Sequence, residues 1–166
     1  MNQIYQEVKK YLRYINLMSK IYSNKILKVA KSWLNTKFHY GGRVKINNQN
    51  NGGIDCIGLI LKIGEEINST YNGKNIIMFD QTNYSKFSND FEMKKFLDKY
   101  FIKIRKKDVK IGDIAYINFN NNLEHVAIIS DIRLIHCYVE ARKVVEHSLN
   151  QYWKDKIKCF YRYPNS

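Results

Sequence analysis

Cys56, His125 and His136 are the residues whose types and positions could support nucleophilic catalysis. Cys56 follows a glycine-rich segment and opens an apolar run over residues 56–63, which predicts a buried helix. Unpaired N–H groups and the macrodipole at a helix N-terminus favour a thiolate, so this position is expected to lower the thiol pKa. A lone cysteine is nevertheless more often a small buried residue than a nucleophile.

The two histidines lie in predicted strands. His125 starts an apolar strand after a turn, and His136 follows eleven residues later on the return strand of a hairpin that turns over residues 130–132. Depending on the register, both rings can lie on one face of the sheet. One histidine would then take the thiol proton while the other orients its ring, as in a catalytic triad. Spacing alone leaves open the alternative of two partly buried, hydrogen-bonded histidines.

The N-terminal part of the chain predicts helices that would precede the cysteine. Residues 1–18 carry a basic amphipathic pattern whose apolar residues recur at helical spacing: Ile4, Val8, Tyr11, Leu12 and Ile15. We expect this helix to pack on the domain, with a role at a membrane surface as the alternative. A second helix is expected after Ser23, a plausible N-cap. We therefore divide the chain into a basic N-terminal helix or extension, residues 1–18, and a single domain, residues 19–166.

The second half of the chain changes to strand patterns. Residues 70–90 are expected to be irregular, and a short helix is expected over about residues 90–100 with Phe91, Phe96 and Leu97 facing inward. Five strand candidates follow, with a turn at 118–122 after the first: residues 114–117, 125–129, 133–138, 144–146 and 157–162. Helices followed by a run of strands predict an α+β fold with an antiparallel sheet of about five strands.

Composition narrows the classes of function. The 166 residues suffice for one domain with its own core, and 45% hydrophobic residues exclude a disordered chain. Three cysteines without a close pair do not indicate a disulfide framework. No apolar run reaches membrane-spanning length, and the first residues lack a secretory signal. The net charge of +13 favours anionic partners, but the basic residues are spread along the chain, so compositional background is favoured over a nucleic-acid surface.

Five motifs in order resemble those of the NlpC-type cell-wall peptidases, a papain-like family. That family has an aromatic residue before a Gly-Gly turn, then Gly-x-Asp-Cys-x-Gly-Leu, a Gly-Asp strand, a His-Val-Gly-Ile-like strand and a later Ile-His. The corresponding segments here are residues 33–42, 53–60, 112–114, 125–128 and 135–136. The match extends over about residues 24–163, and five ordered motifs are far more specific than one. A looser resemblance, carried by Ile57 and by residues 144–164, is to the branch found among phage tail genes and gene-transfer particles.

The resemblance implies roles for individual residues. Cys56 would be the nucleophile, His125 the general base and acid, and His136 the orienting residue, with the backbone N–H of Cys56 as one oxyanion donor. Asp55 would help to bind a substrate amine, although capping the helix is its simpler role. Phe38 stands where the family usually places an oxyanion-binding tyrosine. Tyr40, two positions on, is expected to point elsewhere, although both residues are assigned to the substrate-binding region.

The resemblance also implies a papain-like fold and a reaction. The expected substrate is the peptidoglycan stem peptide, cut at the bond between D-glutamate and a diamino acid, with no cofactor and no metal. The expected partners are the bacterial wall peptide and phage tail-like proteins, with no specific nucleic acid. Synthesis in the cytoplasm and action on the wall, or association with a particle or virion, follow from the lack of a signal.

Three alternatives remain at the level of sequence. The first is a catalytically weak or inactive wall-binding module of the same fold, which Phe38 supports. A poised thiolate at Cys56 would distinguish it, because iodoacetamide at neutral pH would then label this cysteine faster than the others. The second is a nucleic-acid-binding protein, which the charge suggests although no recognised motif supports it. The third is a zinc site built from Cys56, His125 and His136, which lacks a convincing fourth ligand.

Overall fold

The computed structural model describes residues 2–81, 92–119 and 123–164. Within these residues four α-helices alternate with strands. The helices are α1 (Asn2–Ser32), α2 (Cys56–Glu66), α3 (Met93–Tyr100) and α4 (Gln151–Lys156). Two short 3-10 helices cover Ile76–Phe79 and Lys106–Asp108.

In the described part of the chain, ten strands form one large sheet and two small ones. In chain order they are β1 (Arg43–Val44), β2 (Gly53–Ile54), β3 (Thr70–Tyr71), β4 (Lys74–Asn75), β5 (Ile102–Ile104), β6 (Ile114–Phe119), β7 (Leu123–Ser130), β8 (Arg133–Tyr138), β9 (Lys143–Ser148) and β10 (Ile157–Arg162). The large sheet has the order β5-β10-β6-β7-β8-β9, and every neighbouring pair is antiparallel. The two small sheets pair β1 with β2 and β3 with β4. The predicted α+β fold, helices packed on an antiparallel sheet, is confirmed.

The sheet separates two apolar clusters because side chains alternate between its faces. On β7, Val126 and Ile128 pack into the larger cluster, which holds the buried side of α2. Ala127 and Ile129 face the other way and pack with Trp153 of α4. Burying each large aliphatic side chain of this kind stabilises the fold by about 1.5–3 kcal/mol. The candidate nucleophile on α2 and the candidate histidines on the sheet are therefore held by two rigid, well-packed layers.

The N-terminal helix differs from the sequence-based expectation in two ways. It is one continuous helix of 31 residues, so Ser23 is not an N-cap and the division between residues 18 and 19 falls inside it. The expectation that residues 1–18 pack on the domain is wrong, because every side chain over residues 3–18 is exposed. Only the last turns contact the core, through residues such as Ile26 and Ala30. The apolar pattern of the helix continues beyond the part that packs on the domain. Periodicity alone cannot show where this packing ends.

Some shorter elements were missed or misplaced. The strand β5, the helix α4 and the β3–β4 hairpin were not predicted, because none is long enough to show a clear period. The helix expected from about residue 90 begins at Met93, and it buries Phe96 and Leu97 as expected. Phe91 and the turn residues 120–122 lie outside the described residues. Asn118 and Phe119, expected in that turn, belong to β6.

Candidate active site

The start of α2 is fixed by Asp55. This side chain accepts a hydrogen bond from the backbone N–H of Gly58 at 2.7 Å, which makes it the N-cap of the helix that Cys56 opens. Its other oxygen accepts from the N–H of Gly41 at 2.7 Å, so the Gly-Gly turn is tied to the same carboxylate. The capping role considered for Asp55 is what the structure shows, and the binding of a substrate amine stays a prediction.

Arg43 helps to hold Asp55, the residue that caps the helix of the nucleophile. Its guanidinium donates to both oxygens of Asp80, at 2.7 and 2.8 Å, and to Asp55 at 3.1 Å. Such a bidentate pair fixes the orientation of both partners. The guanidinium crosses the first turn of α2, where a Cβ at Gly58 would come within 2.3 Å of its Nη1. A side chain at Gly58, two residues after Cys56, would therefore have to displace this guanidinium.

The Cys56 thiol lies where the large sheet opens. Strand β7 pairs with β8 only between Ile128 and Ser130, so the two strands have separated at Val126. The backbone N–H groups of Val126, Ile57 and Cys56 itself point at the sulfur and favour the thiolate. Val126 directly follows His125 in the chain, so the backbone next to the candidate base reaches the sulfur. Within the residues that the structure describes, no hydrogen bond joins the sulfur to a ring nitrogen of His125; such contacts are often long until substrate binds.

Burial dominates the electrostatics of Cys56. It raises the pKa of the thiol to about 12, and the charge of Asp55 adds to the rise. The N–H groups at the helix start lower this pKa as expected, but they do not offset the loss of hydration, so the net shift is upward. At neutral pH Cys56 is thus a thiol.

His125 and His136 come together as the sequence suggested. Both are buried, and Nε2 of His125 lies 2.6 Å from Nδ1 of His136. Burial, followed by the charge of His147, lowers the pKa of His125 to about 4. Burial and the charges of His125 and His147 lower the pKa of His136 to about 2. Both rings are therefore neutral at pH 7, and a neutral imidazole can accept a proton.

A third histidine joins this pair. Nε2 of His147 on β9 lies 2.6 Å from Nε2 of His136, and the indole of Trp153 stacks on His147 at 4.9 Å. In the sequence His147 lies within residues 144–164, the segment of the looser resemblance, which implies no role for it. One signal was present: His147 follows His136 by eleven residues, as His136 follows His125. A role for His147 depends on the pairing of β8 with β9, which the sequence does not show.

Phe38 and Tyr40 lie just before the Gly-Gly turn at residues 41 and 42. Phe38 is half-buried, and its ring meets that of Tyr40 edge-on at 4.9 Å. Burial raises the pKa of Tyr40, and the charges of Cys56 and Asp55 raise it further. The Tyr40 hydroxyl is therefore within electrostatic range of Cys56. Tyr40 lies in a turn and not in a regular strand, so the strand alternation behind the expected direction of its side chain does not apply to it.

Known proteins resemble this chain in fold rather than in sequence. No protein-family model and no curated protein sequence matches it. A protein of Staphylococcus aureus subsp. aureus Mu50, described as similar to a lipoprotein of the NLP/P60 family, superposes with a TM-score of 0.58 at 16% identity, over 87% of this chain and 42% of that one. The NlpC/p60 domain of the peptidoglycan hydrolase SagA gives 0.56 at 18% identity, over 84% of this chain and 97% of that domain.

A third structure, the peptidoglycan hydrolase RipB of Mycobacterium tuberculosis, gives a TM-score of 0.53 at 12% identity, over 89% of this chain and 67% of that protein. This chain thus spans less than half of the staphylococcal protein but nearly all of the SagA domain. It has the NlpC/P60-like fold, that of papain-like peptidoglycan hydrolase domains. At these identities the similarity establishes the fold, and an activity has to be argued from the site.

Proposed function

We propose that this chain is a cysteine endopeptidase that hydrolyses the stem peptide of peptidoglycan. The observation that carries the proposal is a thiol at the start of α2, beside the N–H of Val126, together with a neutral histidine pair at 2.6 Å. A thiol, a neutral imidazole and a second ring that orients the first are the groups that thiol-dependent acyl transfer needs.

In the first half of the reaction His125 takes the proton of Cys56 as the sulfur attacks the peptide carbonyl carbon. A C–S bond forms, and the electron pair of the carbonyl moves onto its oxygen. When this pair returns, the C–N bond breaks, and the amine leaves with the proton that His125 held. The products of this half are a thioester on Cys56 and a free amine.

In the second half water attacks the thioester. His125 accepts one proton of the water, the C–S bond breaks, and the proton returns to the sulfur. A carboxylic acid leaves, and the neutral thiol and imidazole are restored. The backbone N–H of Cys56 and the hydroxyl of Tyr40 are the donors that we assign to the oxyanion in both halves.

The bond that we propose is the one between D-glutamate and the following diamino acid. This choice rests on the motif resemblance and on a fold shared with peptidoglycan hydrolases such as SagA and RipB. The looser resemblance to the branch found among phage tail genes supports delivery to the wall with phage tail-like proteins. No helix among the described residues is both long and apolar enough to cross a membrane.

Digestion of purified sacculi, followed by mass spectrometry of the released peptides, tests the proposal. We expect new amino termini on the diamino acid with wild-type protein and none with Cys56→Ala or His125→Ala. Both variants should stay folded, because neither change opens a large cavity, and circular dichroism checks this. Full activity of a folded Cys56→Ala protein would exclude the thiol mechanism.

A second candidate function is a wall-binding module of the same fold without turnover. The raised pKa of Cys56 and the phenylalanine at position 38 favour it. Sacculus binding that is equal in wild type and Cys56→Ala, with no released peptides from either, would support this candidate over the peptidase.

A further inference from the structure

His147 extends the pair of candidate catalytic rings into a row of three. Its Nε2 lies 2.6 Å from Nε2 of His136, and its Nδ1 lies 3.0 Å from the main-chain oxygen of Ser148. With the 2.6 Å contact between His125 and His136, the three imidazoles form one hydrogen-bonded row that ends at a carbonyl group.

That carbonyl sets the direction of every hydrogen bond in the row, because a carbonyl oxygen can only accept. Nδ1 of His147 must carry its proton, so neutral His147 accepts at Nε2. His136 must then donate from Nε2 and accept at Nδ1, which leaves His125 to donate from Nε2. Neutral His125 consequently has its lone pair on Nδ1, the ring nitrogen outside the row.

Aromatic packing keeps the rings in this arrangement. Trp153 stacks on His147 with an interplanar angle of 30° and meets His136 edge-on at 5.0 Å. Tyr138 stacks on His136 at 5.2 Å, nearly parallel to it, and its ring also meets that of Trp153 at 5.4 Å. Rotation of either histidine ring would require these neighbours to move, so the nitrogens stay at the positions that the hydrogen bonds need.

We propose that His147 is a positioning residue that sets the tautomer of His136 and, through it, keeps Nδ1 of His125 unprotonated. The inference rests on the proposed peptidase function. Without an acceptor at position 147, neutral His136 can carry its proton on Nδ1 and donate it to Nε2 of His125. His125 would then carry its own proton on Nδ1, the nitrogen that has to accept one from the thiol.

Two uncharged variants separate this role from packing. His147→Phe keeps a flat ring against Trp153 but has no acceptor, whereas His147→Gln keeps an acceptor for His136. We expect His147→Phe to lower kcat for stem-peptide hydrolysis at least about tenfold, with little change in KM, and His147→Gln to recover most of that loss. Thermal unfolding of both variants should match the wild type closely enough to exclude a loss of fold. Equal kcat values for wild type and a folded His147→Phe would overturn the proposal.

A spectroscopic measurement tests the tautomers without any activity. Nitrogen-15 chemical shifts of the histidine rings at neutral pH distinguish protonated from unprotonated nitrogens. We expect Nδ1 to be unprotonated in His125 and His136 and protonated in His147, with the first two becoming mixed in His147→Phe. A wild-type protein with a protonated Nδ1 on His125 would overturn the proposal. The expected shifts in a protein that cleaves no sacculi would retain the proposed tautomer selection and reject the peptidase function.

A separate observation concerns the N-terminal half of α1. Its apolar residues are exposed, with 73% of Ile4, 50% of Val8 and 42% of Ile15 accessible. They continue the same helix face that is buried further along at Ile26 and Ala30. Over residues 4–18 this face has no cover among the residues that the structure describes.

The shape and charge of this segment indicate what covers it. At about 100° per residue, most of the exposed apolar side chains lie within about half of the circumference, between Tyr14 at one edge and Tyr5 at the other, and Leu17 lies outside it. This face is wider than the two-position seam of a coiled coil. Over residues 2–21 the other half carries four basic residues, and the segment has one acidic residue, Glu7. The basic residues are Lys9, Lys10, Arg13 and Lys20. A half-apolar, half-basic helix with tyrosines fits the surface of an anionic bilayer.

We infer that residues 2–21 bind the surface of membranes that contain anionic lipid, with the helix lying in the plane of the surface. Ile15→Glu places a charge at the centre of the apolar face, and Gln6→Glu places the same charge on the polar face. In co-sedimentation with vesicles of phosphatidylglycerol and phosphatidylcholine, we expect Ile15→Glu to lower binding at least about tenfold. Gln6→Glu should lower it much less, and vesicles of phosphatidylcholine alone should bind weakly.

Equal binding by the two variants, or equal binding to the two kinds of vesicle, would overturn this inference. So would a wild-type dimer in sedimentation velocity that Ile15→Glu converts to monomer, because the face would then be covered by a second copy of the chain. These outcomes do not depend on peptidase activity.

Discussion

Cys56 and His125, the proposed nucleophile and base, are both uncharged at neutral pH. Burial raises the pKa of the thiol to about 12 and lowers that of His125 to about 4, so the protein at pH 7 holds no ion pair at this position. In the proposed reaction the thiol proton therefore moves to His125 as the sulfur attacks the substrate, not before. Residue type and motif identified both groups, whereas their charge states depend on burial, which the sequence does not show.

The reactivity of Cys56 with iodoacetamide should reflect its raised pKa. We expect slow alkylation at pH 7 and a rate that rises about tenfold per pH unit through at least pH 9, because only the thiolate reacts. Asp55→Asn keeps an oxygen for the helix cap but removes the charge that raises the pKa, so its profile should move to lower pH. The site of labelling is read by mass spectrometry of tryptic peptides. A rate that levels off below pH 8 would contradict the raised pKa.

Tyr40 and Phe38 allow a paired test of the oxyanion donor. Tyr40→Phe removes only a hydroxyl that lies in the electrostatic range of Cys56, and we expect kcat to fall about 10²-fold, as for one lost donor. Phe38→Tyr in the wild type should change the rate little, because the position for a donor is already filled. In the Tyr40→Phe background it should restore part of the rate if its ring reaches the same site.

Steady-state kinetics on a soluble stem peptide measures both effects, with circular dichroism as the control for folding. An unchanged kcat in Tyr40→Phe would remove Tyr40 from the oxyanion site. The sequence could place both aromatic residues near the Gly-Gly turn, but only the turn geometry decides which of them approaches the cysteine.

Among the elements, α2 has the most direct influence on the site because its first turn carries Cys56. Its start depends on Asp55, which caps the helix, ties down Gly41 and accepts from Arg43. The residue type of Asp55 and its place before an apolar run predicted a cap of this kind. The pairing of Arg43 with Asp80 could not be predicted, because the two residues are 37 positions apart in the chain.

Loss of the Asp55 side chain should destabilise the whole fold. We expect Asp55→Ala to lower the free energy of unfolding by about 2 kcal/mol, about half from the lost N-cap and half from the partner that Arg43 loses. Asp55→Asn, which can still accept from Gly58, should cost clearly less. Urea denaturation monitored by circular dichroism gives both values. Equal destabilisation by the two substitutions would show that the cap contributes little.

Sequence alternation predicted some features of the strands and not others. Alternation predicted β6, β7 and β8, and a tight turn predicted the pairing that brings His125 to His136. The separation of β7 from β8 at Val126, which makes room for the thiol, has no local signature because it depends on α2 lying against the sheet. The helix α4 is only six residues long, too short to show a period. The packing of its Trp153 against His136 depends on the tertiary structure.

At the scale of the whole molecule, the buried histidines make stability dependent on pH. An unfolded histidine has a pKa of about 6.5, whereas the folded values are about 4 for His125 and about 2 for His136. Between pH 6.5 and pH 4 the unfolded chain therefore binds protons that the folded chain does not. Stability is complete above pH 6.5 and is lost as the pH falls, by about 1.4 kcal/mol per pH unit for each histidine.

We expect the free energy of unfolding, measured by urea denaturation, to fall by a few kcal/mol between pH 6.5 and pH 4.5. His136→Asn should make this dependence shallower, because one of the two buried rings is gone. His39→Asn is the matched control, since His39 is exposed and lies outside the row. Identical pH dependence in wild type and His136→Asn would show that acidic groups alone set the effect.

The sequence by itself determined the α+β class, the cysteine at a helix start and the two histidines on adjacent strands. These features depend on short-range periodicity, on turns and on ordered motifs, all of which are local. Tertiary structure decided what depends on distance in space: the raised pKa of Cys56, the third ring at His147, the approach of Tyr40 and the exposed face of α1. Hydration, contacts between rings and cover depend on neighbours that are distant in the chain, as His136 and His147 are, each eleven residues from the ring before it.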